Sequence, residues 1–329
     1  MKTRLRPFLF IPFVTLVCYL NGCKTNSEKD PVLTSVDDLK QTEFVFALEQ
    51  PINNRNNTVY APTVLFAWDE IKNIIGNPTL NDSINYDFVL LNRSTLYQHS
   101  LNKEEYNTEV HIEGLEIAAK ANFEKSLSFE PKFQKSKTPL IFDNQEIKAF
   151  GMRDYEKDIA RNVKLLYYNN DDLFIVALMP KEENQLIILA KGINNIRSLQ
   201  EGIQKIDSLA NLNNPYSLSL EDEISIPLIS FDLETHYKKL EGTKFATERD
   251  SQKYILTEVY QRTMFTLNES GSKIKFSTVT TAEAAAEMNE PKDLIFDKPF
   301  IILMKHTDKK NPYFVTRIAN TELLTRYPH

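Results

Sequence analysis

The sequence predicts an α+β fold, with helices mostly early in the chain and strands mostly late. Three observations carry that expectation. Residues 62–75 repeat apolar side chains at helical spacing. From Thr138 onward, runs rich in Ile, Val, Phe and Tyr are broken by short Asn/Asp turns, as in paired strands. The chain also closes on FDKPFIILMKHTDKKNPYFVTRIAN, residues 296–320, where two apolar runs flank a polar turn and read as a buried hairpin.

The chain starts MKTRLRPFLFIPFVTLVCYLNGCKT. Lys2, Arg4 and Arg6 precede an apolar run over residues 8–20, shorter than the roughly 20 residues of a membrane span. Residues 1–22 therefore read as a secretory leader. Leu20-Asn21-Gly22-Cys23 resembles a bacterial lipobox, which makes Cys23 the expected lipidation site. The protein is then expected outside the cytoplasm, anchored in the cell envelope by its N-terminal lipid alone. Residues 23–40 form a polar tether, and 41–329 a single domain. Cys18 leaves with the leader, so no disulfide remains and stability rests on an apolar core. Loss of the leader also leaves 36 basic residues against 45 acidic ones, a net charge of −9, which argues against a nucleic-acid partner.

TEFVFALEQ (42–50) reads as helical. TVYA (58–61) is a short strand, and the helix over 62–75 follows, with Pro62 suited to its first turn and Gly76 to its end. Val64, Leu65, Trp68, Ile71, Ile74 and Ile75 share one face, and Trp68 belongs in the core. A weakly helical stretch reaches about Asn107, before GLEIAAKANFEKSLSFEPKF (114–133). TPLIFDNQEIKAFGM (138–152) is strand–turn–strand, bending at Asp143-Asn144. NVKLLYYNNDDLFIVALMP (162–180) is a hairpin turning at NNDD. QLIILAKG (185–192) is a strand, and a helix spans about 196–209. EISIPLISFDLE (223–234) is a strand, YKKLEG a helical turn, and KYILTEVYQRTMFTLNES (253–270) a long strand.

Catalytic motifs are missing. His99, His111, His236, His306 and His329 are scattered without metal-ligand spacing. There is no HExxH, CxxC, GxSxG or glycine-rich phosphate loop in a chain with eight glycines. Asp171-Asp172 and Glu221-Asp222-Glu223 fall in turns and read as solvated charge. Neither enzymatic activity nor any cofactor or metal is expected, and nothing in the sequence sets an oligomeric state.

The closing hairpin resembles the final strands of serpins, matching at Phe296, Pro299, Phe300, Phe314 and Arg317, with Thr316 where that family has Gly. TEVYQRTMFTLNESGS (257–272) looks like the serpin segment leading into the reactive loop, with Glu269, Gly271 and Ser272 at its hinge. SIPLISFDLETHYKKLEG, LLYYNNDDLFIVALMPKEE, NTVYAPTVLFAWDEIKNIIG and GLEIAAKANFEKSLSFEPKF are similar to further serpin blocks, in serpin order. The resemblance implies N-terminal helices packed on a central mixed or antiparallel sheet, a second β-sheet region, and an exposed reactive-type loop near the C-terminus. It also implies an inhibitor of serine- or cysteine-type endopeptidases, with a target protease as partner. In that family the protease cuts an exposed bait loop, which then enters the central sheet as a new strand. TVTTAEAAAEMNEPKD supplies the bait, at about 278–290. Counting from the hinge puts the cut after Ala285, and counting back from the hairpin puts it after Met288. The scissile region is thus Ala284, Ala285, Ala286, Glu287, Met288 and Asn289, which suits elastase-like or subtilisin-like proteases better than trypsin-like ones.

The chain departs from the family in three places. Inhibitors carry small residues after the hinge, whereas this chain has Lys273-Ile274-Lys275-Phe276-Ser277-Thr278. Alternation puts Ile274 and Phe276 on one side and the lysines on the other, and each misfit forced into a packed face costs about 1–3 kcal/mol. Ala61 and Val64 replace two serines, and Gln261 a histidine, of the family's latch on the sheet, so that latch is absent or rebuilt. After Phe133 the chain is short by roughly seventy residues, a large part of a domain. This placement removes the strand beside which the loop inserts, although reading EIAAKANFEKSLSFEPKF as a later block keeps it. Two functions stay open: an inhibitor presenting 278–290, or a non-inhibitory binding or scaffold lipoprotein whose 273–279 strand lies permanently in the sheet.

Overall fold

The apolar periodicity of residues 62–75 becomes the α-helix Thr63–Ile75, and Gly76 leaves it at φ +91. A computed structural model describes residues 31–80, 85–124, 127–271 and 290–328. Val64, Leu65, Trp68, Ile71 and Ile75 are buried, while Ile74 is 61% exposed. Arg249 closes that helix end instead, donating to the carbonyls of Asn73 and Ile74. The Trp68 indole donates to Asn92 at 3.0 Å and meets Phe88 and Phe245 edge-on, as expected of a core residue.

This helix packs on a seven-stranded mixed sheet. At its centre runs the 14-residue strand Tyr254–Leu267. Ile229–His236 pairs with one edge of it, antiparallel, and Leu33–Ser35 lies beyond. Glu116–Glu124 pairs with the other edge, parallel, and Asn107–Glu113 lies beyond that. GLEIAAKANFE is therefore the second arm of a hairpin turning at Gly114, although its Ala, Glu and Lys favour helix. A buried sheet position for Ile117, Ala119 and Ala121 outweighs that local preference.

The closing hairpin lies in the middle of an eight-stranded sheet. Phe300–His306 pairs with Gln185–Lys191 and with Phe314–Ile318, which in turn pairs with Asn57–Tyr60. Val163–Asn170 and Leu173–Leu178 form the expected hairpin at the far side. TEFV, expected to be helical, is the strand Thr42–Val45, added in parallel at the outer edge of Asn57–Tyr60. The core fills the space between the two large sheets, where Phe265 stacks on Phe314 at 4.5 Å. A second apolar cluster lies between the eight-stranded sheet and the helix Leu199–Ala210. A four-stranded sheet, ordered Asp293–Ile295, Glu223–Pro227, Ala149–Met152 and Gln134–Lys135, completes the framework. Among the described residues no helix is long and apolar enough to cross a membrane.

Candidate functional site

Side chains along Tyr254–Leu267 alternate strictly past Glu258. Val259, Gln261, Thr263, Phe265 and Leu267 are buried, and Tyr260, Arg262, Met264 and Thr266 face outward, half-exposed. The outer residues are tied across strands: Arg262 grips Asp232 with two bonds of 2.8 and 2.5 Å, and Tyr260 donates to Glu234 at 2.9 Å. Burial, reinforced by that bond to Glu234, pushes the Tyr260 phenol up to about 12.

Of the two placements open to EIAAKANFEKSLSFEPKF, one removes the strand adjoining this one and the other keeps it. It is present: Glu116–Glu124 pairs with positions 255 through 264. The placement that deleted it fails because hydrophobic alternation, not the helix-forming composition, governs 114–124. Direct pairing also means that no third strand stands between the two over this length. Residues 273–279, read from the sequence as a strand that could lie permanently in the sheet, fall outside the described residues.

Directly above, Asn268 to Gly271 reverses the chain. Gly271 N donates to Asn268 O at 3.0 Å and Asn268 N to Gly271 O at 3.2 Å, an antiparallel bridge around a two-residue turn. Asn268 Oδ1 accepts from Ser270 N and braces the turn. On its other side Gly271 bridges Ser128. Phe129 N donates to Ser270 O at 3.0 Å, and Phe133 N to Glu269 O at 2.9 Å. Gly271 is thus seated between the end of one strand and the continuation of its neighbour. Only glycine fits there: φ is +103, and a Cβ would lie 2.3 Å from Leu127 O and 2.5 Å from Ser128 Cα. The Glu269 carboxylate, 13% exposed, pairs with Lys135 at 3.2 Å.

The described residues resume at Glu290, and those that follow it are held by charge. Asp222 Oδ1 accepts from Lys292 N at 3.0 Å and lies 3.8 Å from Lys292 Nζ, while Oδ2 accepts from Ser219 N at 2.8 Å. Both side chains are buried, and the Lys292 ammonium faces the Tyr168 and Tyr216 rings. Asp222 is therefore a structural anchor rather than solvated charge. One strand further on, buried Lys191 donates to the carbonyls of Asp171 and Ile295 and pairs with Asp297 at 2.6 Å. Sequence reasoning missed Asp222, Lys292, Lys191 and Lys135. An ammonium partner some 70 positions away from Asp222 leaves no local pattern, and only the unbroken apolar context of Lys191 hinted at burial.

The latch beneath the sheet is rebuilt. Ala61 and Val64 are buried apolar contacts, and Gln261 carries the polar role. Its amide donates to Thr263 at 3.1 Å and its carbonyl accepts from Tyr237 at 3.3 Å, all three residues being buried.

Of the expected site residues, the structure brings Glu269 and Gly271 together in the turn. Cys23, Ser272, Ile274, Phe276, Ala284, Ala285, Ala286, Glu287, Met288 and Asn289 lie outside the described residues. Among the described residues no group of His, Cys, Asp and Glu is arranged to hold a metal. The family model described as Serpin (serine protease inhibitor) matches residues 107–321, more than half of the chain. Serpin I2 of Homo sapiens is 22% identical over 218 residues, which cover 59% of this chain and 51% of that protein. The chain thus spans about half the length of this curated relative. Among solved structures, the serpin of Schistosoma mansoni is 12% identical with a TM-score of 0.44, over 63% of this chain and 56% of its own. Serpin48 of the insect Tenebrio molitor is 15% identical with a TM-score of 0.38, over 67% and 58%.

Proposed function

The chain belongs to the serpin family, and on that premise we propose that it is a surface inhibitor of serine- or cysteine-type endopeptidases. It offers residues at about 278–290 as bait, with the scissile bond after Ala285 or Met288, and is held to a membrane by lipid on Cys23. One observation carries the reading. Gly271 already sits between the two strands that must part, while below it those strands remain paired from 255 to 264. A closed sheet with its first inserting residue in place is a spring not yet released.

The Asn268–Gly271 bridge also sets a register. Carried into a cleaved loop, it pairs Lys273 with Thr266, Ile274 with Phe265, Lys275 with Met264, and Phe276 with Thr263. Phe265 and Thr263 are buried and Thr266 and Met264 face outward, so the bulky pair enters the core and both lysines reach solvent. The alternation of the hinge thus matches the sheet in sign and strains it in size. That bulk slows insertion, and it favours a second reading in which the protein binds a protease, or is cut by it, without trapping it.

Incubation with an elastase-like or subtilisin-like protease separates the two. The inhibitor reading expects an SDS-stable adduct and a cut within residues 284–289. Clean cleavage with no adduct, in the native protein and in an Ile274→Ala/Phe276→Ala variant alike, refutes it.

A further inference from the structure

The seven-stranded sheet ends on the hairpin arm Asn107–Glu113, seven residues with no break in register against Glu116–Glu124. The two-residue turn Gly114-Leu115 makes Glu113 and Glu116 a hydrogen-bonded pair, and such pairs recur at every second residue. Asn107, Glu109, His111 and Glu113 therefore commit their backbone groups to the neighbouring strand. Thr108, Val110 and Ile112 turn theirs outward, and among the described residues nothing bonds to them. Every other sheet edge among the described residues ends on a strand of two to four residues. Short edge strands, bulges and prolines keep sheets from pairing with one another. The 107–113 edge has none of the three.

We propose that this edge pairs antiparallel with the same edge of a second copy of the chain, about a two-fold axis at Val110. Because the free backbone groups lie on 108, 110 and 112, the possible registers differ by steps of two residues. Centring on Val110 sets Val110 against Val110 and Thr108 against Ile112. These lie on the face that rests on the helix Thr63–Ile75, where Val110 and Ile112 are already half-buried against the core. On the outer face the same register sets Glu109 of each copy against His111 of the other. That is a non-hydrogen-bonded pair, with Cα atoms about 4.5 Å apart and side chains close. The imidazole can donate to the carboxylate whether neutral or charged. The neighbouring registers set like charges together: centring on Glu109 puts that residue against itself, and centring on His111 puts Glu109 against Glu113 twice. Lys120, opposite Glu109 within the hairpin, pairs with Glu258 at 3.3 Å, and exposed His111 has Glu113 of its own strand at 3.6 Å. A two-fold pairing occupies this edge in both copies, so assembly closes at the dimer. The seam between 116–124 and 254–267 takes no part, and the inference stands apart from the inhibitor reading.

Sedimentation equilibrium of the purified protein tests the pairing. One short strand makes a contact at the weak end of protein interfaces, so a dimer with Kd on the order of 100 µM is expected. At high protein concentration, amide exchange should slow at Thr108, Val110 and Ile112 and stay unchanged at Glu109 and His111, whose amides already bond to Glu116–Glu124. Val110→Pro removes an outward N–H that the hairpin does not use, and should abolish the dimer while thermal melting shows the fold intact. His111→Lys should tighten the dimer about tenfold and His111→Glu loosen it about tenfold, since symmetry counts each cross-strand pair twice. A protein still monomeric at about 1 mM, or one forming a ladder of higher oligomers, would overturn the proposal. A dimer that persists in folded Val110→Pro would do the same. Equal affinities in the two His111 variants, or the reverse order, would overturn the register. If Val110→Pro does not fold, the exchange pattern and the order of those two variants decide the matter.

Discussion

Replacing Gly271 by alanine tests the hinge geometry most sharply. The added methyl would lie 2.3 Å from Leu127 O and 2.5 Å from Ser128 Cα, both backbone atoms that cannot turn aside as a side chain would. The turn must therefore let go of the neighbouring segment. The cost is bounded by what the hinge holds: the bonds from Phe129 N, Phe133 N, Gly271 N and Asn268 N. At about 0.5–1.5 kcal/mol net for each backbone bond, that is about 2–6 kcal/mol, or a fall in Tm of about 4–12 °C for a chain of this size. Gly242→Ala is the control, since Gly242 has φ +80 but nothing within 4 Å of the added methyl. It should cost only the left-handed backbone, about 1 kcal/mol. Calorimetry gives the two Tm values, and hydrogen exchange should show Phe129 and Phe133 losing protection only in Gly271→Ala. If Gly271→Ala is no worse than Gly242→Ala, and both amides stay protected, the seating of the hinge between its two neighbours is wrong.

Asp222→Ala should destabilise the segment after Glu290 by about 3–5 kcal/mol, because it strands a buried ammonium and two backbone donors. Adding Lys292→Met should recover part of that loss, as thermal melts of the single and double variants would show. Alkaline titration followed by tyrosine absorbance should find Tyr168 and Tyr260 ionising near pH 12. Since both phenols are raised above their unfolded value of about 10, the stability they confer is complete below pH 10 and lost as pH rises toward 12. Tyr260→Phe should flatten that alkaline loss. At the acid end, the Glu201 carboxylate is held down to about 2 by bonds from Arg197 and Lys205. Its carbon resonance should therefore titrate near pH 2 and move toward the ordinary carboxylate range in Arg197→Ala.

Elements with one dominant local signal were legible in the sequence. The helix Thr63–Ile75 shows apolar periodicity, and the hairpin Phe300–Ile318 shows two apolar runs around a polar turn. Asp143-Asn144 reads as a bend because both residues tolerate positive φ, and both adopt it, at +47 and +58. The strands Thr42–Val45 and Glu116–Glu124 read as helix or remained ambiguous, because their partners lie far off in sequence and only pairing decides their state. At the hinge, Gly271 was legible only through the family resemblance, whereas Lys135 was not, since its partner Glu269 is contributed by a distant strand end. Charge contacts of this kind are set by the fold and leave no spacing rule to find.

The closed sheet is the central claim, and melting before and after a single cut within 278–290 tests it most directly. If the paired strands 116–124 and 254–267 part to admit the freed arm, roughly ten new backbone bonds at about 1 kcal/mol each should raise Tm by about 20 °C. An unchanged or lower Tm after complete cleavage would contradict the account.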